Sequence, residues 1–281
     1  MDSPKATDVT TLVLGLVDAP NVRREGDATG ASAPFDALAA WMAVNGELAI
    51  ERKIWPTYRA LAESVREGKS DIAWLPPVVY AWLAEAVTPL GSIVRDGTTT
   101  YSAALVTLES SKLRAVSDLA GTRAGWVDPW SAAGYVVPRI ELARAGIDPT
   151  TTFAVEKFYG SHRDALLALK RGECDFAGTY ARTRSDEEAP EGAWSEIEDL
   201  EVRVIASFGS IPSDVIAVRR NLLPAEYERA LAAFQKASSD DAGRLLVRAV
   251  FGGGELKAGI EPGHEELRGA FERATAKGLF D

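Results

Sequence analysis

Short apolar runs of strand length alternate with amphipathic helical patterns along this chain, and the alternation restarts after about residue 100. Strand, helix, strand, helix is the grammar of an α/β sheet with parallel crossovers. The run Thr11–Val17 is continuously apolar, as suits a strand covered on both faces. Leu48–Ile54 and Asp71–Leu75 read as further strands, with helices predicted over Pro34–Trp41 and Val78–Ala84. Between the two strands, Tyr58, Leu61, Ala62 and Val65 keep the i, i+3, i+4, i+7 spacing of a helix with one buried face, and Gly68 ends it. The second set comprises strands over Tyr101–Thr107, Arg123–Val127, Phe153–Phe158 and Asp175–Thr179, with helices from Ser131 to about Ala145 and over Ser161–Lys170. Residues 185–201 are acid-rich and read as an exposed loop. Val202–Phe208 and Val215–Val218 return to strand pattern, and the chain beyond them reads as helical.

With 281 residues, two such blocks predict two lobes. Residues 1–100 together with 208–281 are expected to form lobe one, and residues 101–207 lobe two. Two crossing segments then act as a hinge, and the cleft between lobes is the natural place for a small ligand.

Charge narrows the partners. With 31 Lys and Arg against 41 Asp and Glu, the net charge is −10, which argues against nucleic acid and anionic membranes as partners. Oriented N–H groups can still hold a small anion at short range. No apolar run reaches the roughly 18 residues of a membrane span, so no membrane insertion is expected. Cys174 is the only cysteine, which excludes an intrachain disulfide, and it reads as a small core residue. No export signal is evident at the start, so a cytoplasmic location is expected if Met1 is the native start. If a signal was removed, the location is periplasmic or extracellular.

Two strand-to-helix junctions carry the candidate chemistry. Ser131, in Asp128-Pro-Trp-Ser-Ala-Ala-Gly-Tyr135, is a natural N-cap, and the N–H groups that follow it have no intrahelical partners. They can hold an anion, or Ser131 can be a cap and nothing more. In Gly160-Ser161-His162-Arg163, a first-turn histidine can donate to an anion at the strand end, although alone it reads as an ordinary surface residue. His264, beside Glu265 and Glu266, is expected to be solvated, and Trp130 can wall the cleft. No metal-binding spacing, nucleophile elbow or phosphate loop is present, so binding is expected rather than catalysis, with no cofactor.

Asp71-Ile-Ala-Trp-Leu-Pro-Pro-Val-Val-Tyr80, Tyr101-Ser102, Asp118-Leu-Ala-Gly121, the Asp128–Gly134 run, Pro138, Gly146-Ile-Asp-Pro149, Gly160-Ser-His162, Gly172-Glu-Cys-Asp175 and Ile211-Pro-Ser-Asp214 occur in one unbroken order. That order resembles the phosphonate and phosphite substrate-binding proteins of ABC importers, over about residues 10 to 235. The resemblance implies a two-lobed type II periplasmic-binding-protein fold with two hinge crossings. It also implies a small anionic ligand and an ABC permease as partner; a monomer is expected. Tyr58 and Tyr101 would line the cleft, while Ser131, Ala132, Ala133 and their backbone, with His162, would grip a tetrahedral oxyanion. Asp214 would face an amino group in ligands that carry one. Ala132 and Ala133 depart from the hydroxyl residues usual in the family, which widens the expected ligands to carboxylates and less polar compounds. Arg23 and Arg24 can supply replacement charge, although a solvated loop is their simpler reading. The alternatives are a cytoplasmic enzyme on the same fold, with Asp175 or Asp214 as a proton-abstracting base, and a ligand-sensing module.

Overall fold

The protein is described from a computed structural model over residues 10–17, 32–182 and 190–280. Arg23 and Arg24 lie outside the described residues. In chain order, the first block is β1 (Leu12–Val17), α1 (Ser32–Asn45), β2 (Ile50–Trp55), α2 (Tyr58–Arg66), β3 (Ile72–Leu75), α3 (Pro77–Leu83) and β4 (Val87–Val94). The second is β5 (Thr100–Leu108), β6 (Arg123–Trp126), α4 (Val137–Arg144), β7 (Val155–Phe158), α5 (His162–Lys170), β8 (Phe176–Arg182), β9 (Glu191–Gly192) and β10 (Val202–Pro212). The chain then returns with β11 (Val215–Arg219), α6 (Pro224–Ser239), α7 (Asp241–Phe251), β12 (Glu255–Ala258) and α8 (Pro262–Ala276).

Two mixed sheets result, one per lobe. The first has the order β12-β4-β11-β3-β1-β2, and the second β10-β5-β8-β6-β7 with β9 beside β8. In the first, β1 runs parallel to both β2 and β3, as the crossover pattern requires, while β11 lies antiparallel between β3 and β4. Leu12 and Leu14 are buried in a core with Leu38, Met42 and Phe234.

The chain crosses between lobes twice, after β4 and between β10 and β11. The return lies at Ser213 and Asp214 rather than at 207–208, because β10 continues through two register shifts until Pro212 pairs with Thr100. A second correction concerns the end of the chain. It is not wholly helical, since β12 adds an edge strand to the first sheet. Nor does α8 belong to lobe one alone: its Leu267 and Ala274 sit in the lobe-two core with Ala103, Val136 and Phe176, where Val78 of α3 also packs.

Another correction follows from that packing. His264 is 1% exposed rather than solvated. Its Nδ1 accepts the Glu261 N–H at 3.1 Å and its Nε2 lies 2.9 Å from the Ser213 carbonyl, so the ring ties α8 to the return crossing. Burial lowers its pKa and keeps it neutral. Cys174 is buried in the lobe-two core. Among the described residues no helix is long and apolar enough to cross a membrane.

The junction after β6 is built by close approach. The segment Ala132–Val136 forms a π-helical turn that runs into α4, and single π-turns concentrate at functional sites. A Cβ on Gly134 would meet Val127 Cγ2 at 2.3 Å and Ser131 Oγ at 2.7 Å. Gly134→Ala should therefore cost about 1–3 kcal/mol by overpacking, read in a urea melt. An unchanged midpoint would mean that this contact has slack.

Candidate functional site

Both sheets aim their strand ends at one cleft, where ligands of open α/β sheets bind. A cavity of about 380 Å³ lies there. From lobe one it is lined by Val17 at the end of β1, Tyr58 at the start of α2, Trp74 and Pro76 at the end of β3, Arg95 after β4, Asp214, and Phe251 at the end of α7. From lobe two it is lined by Tyr101, Asp128, Trp130, Ser131, Ala132, His162, Tyr180 and Arg182. Six of the seven residues expected from sequence thus converge. The seventh, Ala133, turns its side chain into the lobe-two core at 2% exposure and offers the site only its backbone N–H, which precedes the first bond of the turn.

Each lobe-two group is held by its own junction. Ser131 caps the π-turn, its Oγ accepting the Gly134 N–H at 3.0 Å, so its own O–H remains a donor. The first backbone bond of the turn runs from Val136 N–H to the Ser131 carbonyl. The N–H groups of Ala132 and Ala133 precede that bond and stand at the positive end of the continuous helix. Asp128 braces the loop from below: Oδ1 accepts the Trp130 N–H at 2.7 Å and its carbonyl accepts the Ser131 N–H. Burial raises its carboxyl pKa, against the lowering effect of the nearby Trp130 and Ser131 N–H groups. Trp130 packs against Trp82 of α3 with ring centroids 4.8 Å apart and planes tilted by 34°, joining the lobes beside the cavity.

His162 opens α5 behind the N-cap Ser161, whose Oγ accepts the Asp164 N–H. Its Nδ1 lies 3.0 Å from the hydroxyl of the buried Thr179, and Tyr180 meets the ring edge-on at 5.1 Å. When the Thr179 hydroxyl donates to Nδ1, the ring proton sits at Nε2, the tautomer that an anion in the cavity selects. Burial lowers the His162 pKa from 6.5 to about 4, so the ring is a neutral donor at pH 7. The Tyr101 phenol is pushed up, by burial first and then by the Asp214 carboxylate, and also keeps its proton.

This histidine gives the protein a pH dependence of definite sign. Above pH 6.5 the ring is neutral in both folded and unfolded chains and costs nothing. As pH falls from 6.5 to about 4, the unfolded chain binds a proton that the folded one refuses, and stability drops by at most about 3 kcal/mol. His162→Gln should remove that part of the slope in melts recorded across this window, with His264 as the constant background. A slope unchanged by the substitution would mean that His162 titrates normally.

Asp214 is not a free carboxylate. Its Oδ2 lies 2.5 Å from Arg95 Nη2 and accepts the Trp74 indole N–H at 3.0 Å. Asp175 lies away from the cavity at the other end of β8, held by Arg123 through its side chain and its N–H. Sequence reasoning missed Arg95, Arg182, Tyr180 and Asp128 as lining residues. An arginine beside Asp96-Gly97, ahead of the first crossing, was the available signal for Arg95.

Comparison with known proteins agrees with this architecture. A binding protein of an ABC phosphonate transporter from Pseudomonas aeruginosa superposes with a TM-score of 0.72 at 17% identity, covering 97% of this chain and 89% of that one. The Prochlorococcus marinus protein PhnD1, in complex with methylphosphonate, gives 0.72 at 11% identity, covering 94% and 98%. XAC2383 from Xanthomonas citri, bound to ATP, gives 0.75 at 19% identity, covering 95% and 98%. In sequence, the phosphate-import protein PhnD of Mycolicibacterium smegmatis is 25% identical over 190 residues, 62% of this chain and 57% of that relative's length. Residues 27–262 match the sequence profile of the periplasmic phosphonate substrate-binding proteins of ABC transporters, and the chain belongs to that family.

Proposed function

We propose that this chain is the solute-binding subunit of an ABC importer, closing over a small tetrahedral oxyanion of the phosphonate or phosphate type and presenting the closed form to its permease. The observation that carries the reading is the convergence of the Ser131 helix start and His162 on one cavity between two hinged lobes. Ser131 Oγ–H, the N–H groups of Ala132 and Ala133 and His162 Nε2–H supply donors without bulk water to compete once the lobes close. A helix N-terminus suits an anion for the same reason. The similar proteins named above point the same way, because methylphosphonate, phosphate and ATP share a phosphorus oxyanion.

Alanines at 132 and 133 remove hydroxyl donors, each worth about 1–3 kcal/mol if a ligand oxygen were left unpaired. The backbone N–H groups at these two positions are unaffected by side-chain identity, so positions 132 and 133 contribute main-chain donors beside the side chains of Ser131 and His162. An enzymatic role for Asp175 or Asp214 has no support in the geometry, since both carboxylates are held by arginines.

The test is a thermal-shift and calorimetric screen of phosphate, phosphite, methylphosphonate, ethylphosphonate, sulfonates and small carboxylates. Saturation at a hundredfold the Kd should stabilise the protein by about 2.7 kcal/mol. Phosphorus oxyanions should stabilise it most, and a complete lack of stabilisation by them at millimolar concentration would overturn the reading.

A further inference from the structure

Asp214 is the carboxylate in the cavity that a cationic ligand group would seek, yet two donors already occupy one of its oxygens. Arg95 and Asp214 are only 15% and 14% exposed, so the pair stands in a partly desolvated wall where salt screens weakly. Arg95 is fixed from a second side as well. Its Nη2 donates to the Phe251 carbonyl at 2.9 Å, at the C-terminus of α7, where the helix dipole favours a cation. The guanidinium therefore stays at the cavity wall whether or not a ligand is present. A second guanidinium, that of Arg182, lies 5.3 Å from the centroid of the Tyr180 ring and also lines the cavity. The other lining carboxylate, Asp128, is turned into its own loop by the Trp130 N–H. Each carboxylate among the described lining residues thus already accepts from a fixed donor, while the neighbouring wall is aromatic and apolar: Trp74, Tyr101, Trp130 and Phe251.

We infer that Arg95 sets the ligand class of the site: it admits oxyanions whose substituent is uncharged and rejects those whose substituent carries an ammonium group. This rests on the reading of the cavity as an oxyanion site and departs from the role that family resemblance implies for Asp214. The guanidinium cancels most of the carboxylate's pull, so an ammonium brought to Asp214 gives up its hydration in a partly buried wall for little net attraction. A methyl group at the same place meets aromatic surface and loses nothing.

Propylphosphonate and aminoethylphosphonate share their head group and are isosteric, differing in a terminal methyl against an ammonium. Titration calorimetry of the wild-type protein should show propylphosphonate binding tighter by roughly tenfold or more. Arg95→Gln frees Asp214 and should erase or invert that preference, whereas Arg95→Lys keeps the positive charge and should retain it. Equal or tighter binding of aminoethylphosphonate by the wild type overturns the inference, and this comparison needs no variant to fold. If the wild type prefers propylphosphonate but a folded Arg95→Gln protein keeps the full preference, Arg95 is not its source and the inference also fails. If neither probe binds a folded wild type that still binds phosphate or methylphosphonate, the inference fails alone; if those fail as well, it is the oxyanion reading itself that fails.

Discussion

The double substitution Ser131→Ala, His162→Ala should abolish the thermal shift produced by phosphonates and phosphate. Each side chain offers the bound anion one hydrogen bond, from Ser131 Oγ–H and from His162 Nε2–H, and bonds to a charged partner contribute about 1.5–3 kcal/mol each. Losing both should weaken binding by about 3–6 kcal/mol, on the order of a hundredfold to ten-thousandfold. The unliganded protein will change too, because Ser131 also caps its helix, and loss of a cap costs about 1 kcal/mol. Binding must therefore be measured by titration on protein shown to be folded. His162→Ala alone separates the two effects, since it leaves the cap intact and should still cost roughly tenfold or more in affinity. Unchanged affinity in the double variant would remove both residues from the site.

Trp126→Ala should give the largest loss of stability. Trp126 is 0% exposed and meets Tyr135, Phe153 and Phe176 edge-on at 5.6, 5.8 and 5.5 Å. Its indole N–H donates to Glu156 at 2.7 Å, and the same carboxylate pairs with the buried Arg139, whose Nε reaches the Leu279 carbonyl beyond α8. Truncation opens a cavity under the Ser131 turn and removes one donor from that network. The expected cost is about 3–5 kcal/mol, measured by urea unfolding. Trp126→Phe, which keeps most of the ring volume, should cost about 1–2 kcal/mol. A loss below about 1 kcal/mol for the alanine variant would mean that the lobe-two core collapses freely around the void.

The elements legible in sequence were those whose burial is periodic. The α2 face of Tyr58, Leu61, Ala62 and Val65 reads directly, and Thr57 supplies its N-cap, its hydroxyl oxygen accepting the Ala60 N–H. No strand was read over β4, where Pro89 and Gly91 interrupt the apolar pattern. In the sheet they fall where the pairing with β11 shifts register, the kind of irregularity at which a strand proline is tolerated. Strand β10 was cut short because Gly209 and Ser210 stop the apolar pattern after Phe208, although the backbone pairing continues to Pro212.

His264 shows a different failure. Neighbouring charges suggested solvent, yet His264, Leu267, Phe271 and Ala274 recur on one helical face, and that spacing was the better signal. In the site, junction chemistry exposed Ser131 and His162 to sequence reasoning. Arg95 stayed hidden because its contact with Asp214 joins residues 119 positions apart, across both hinge crossings.

The most direct measurement is the amide spectrum of isotopically labelled protein titrated with methylphosphonate. The N–H signals of Ala132 and Ala133 should move downfield as they bond to the anion, and the His162 ring signals should move with the same saturation curve. Methylphosphonate binding that leaves all of these signals in place would contradict the proposed grip.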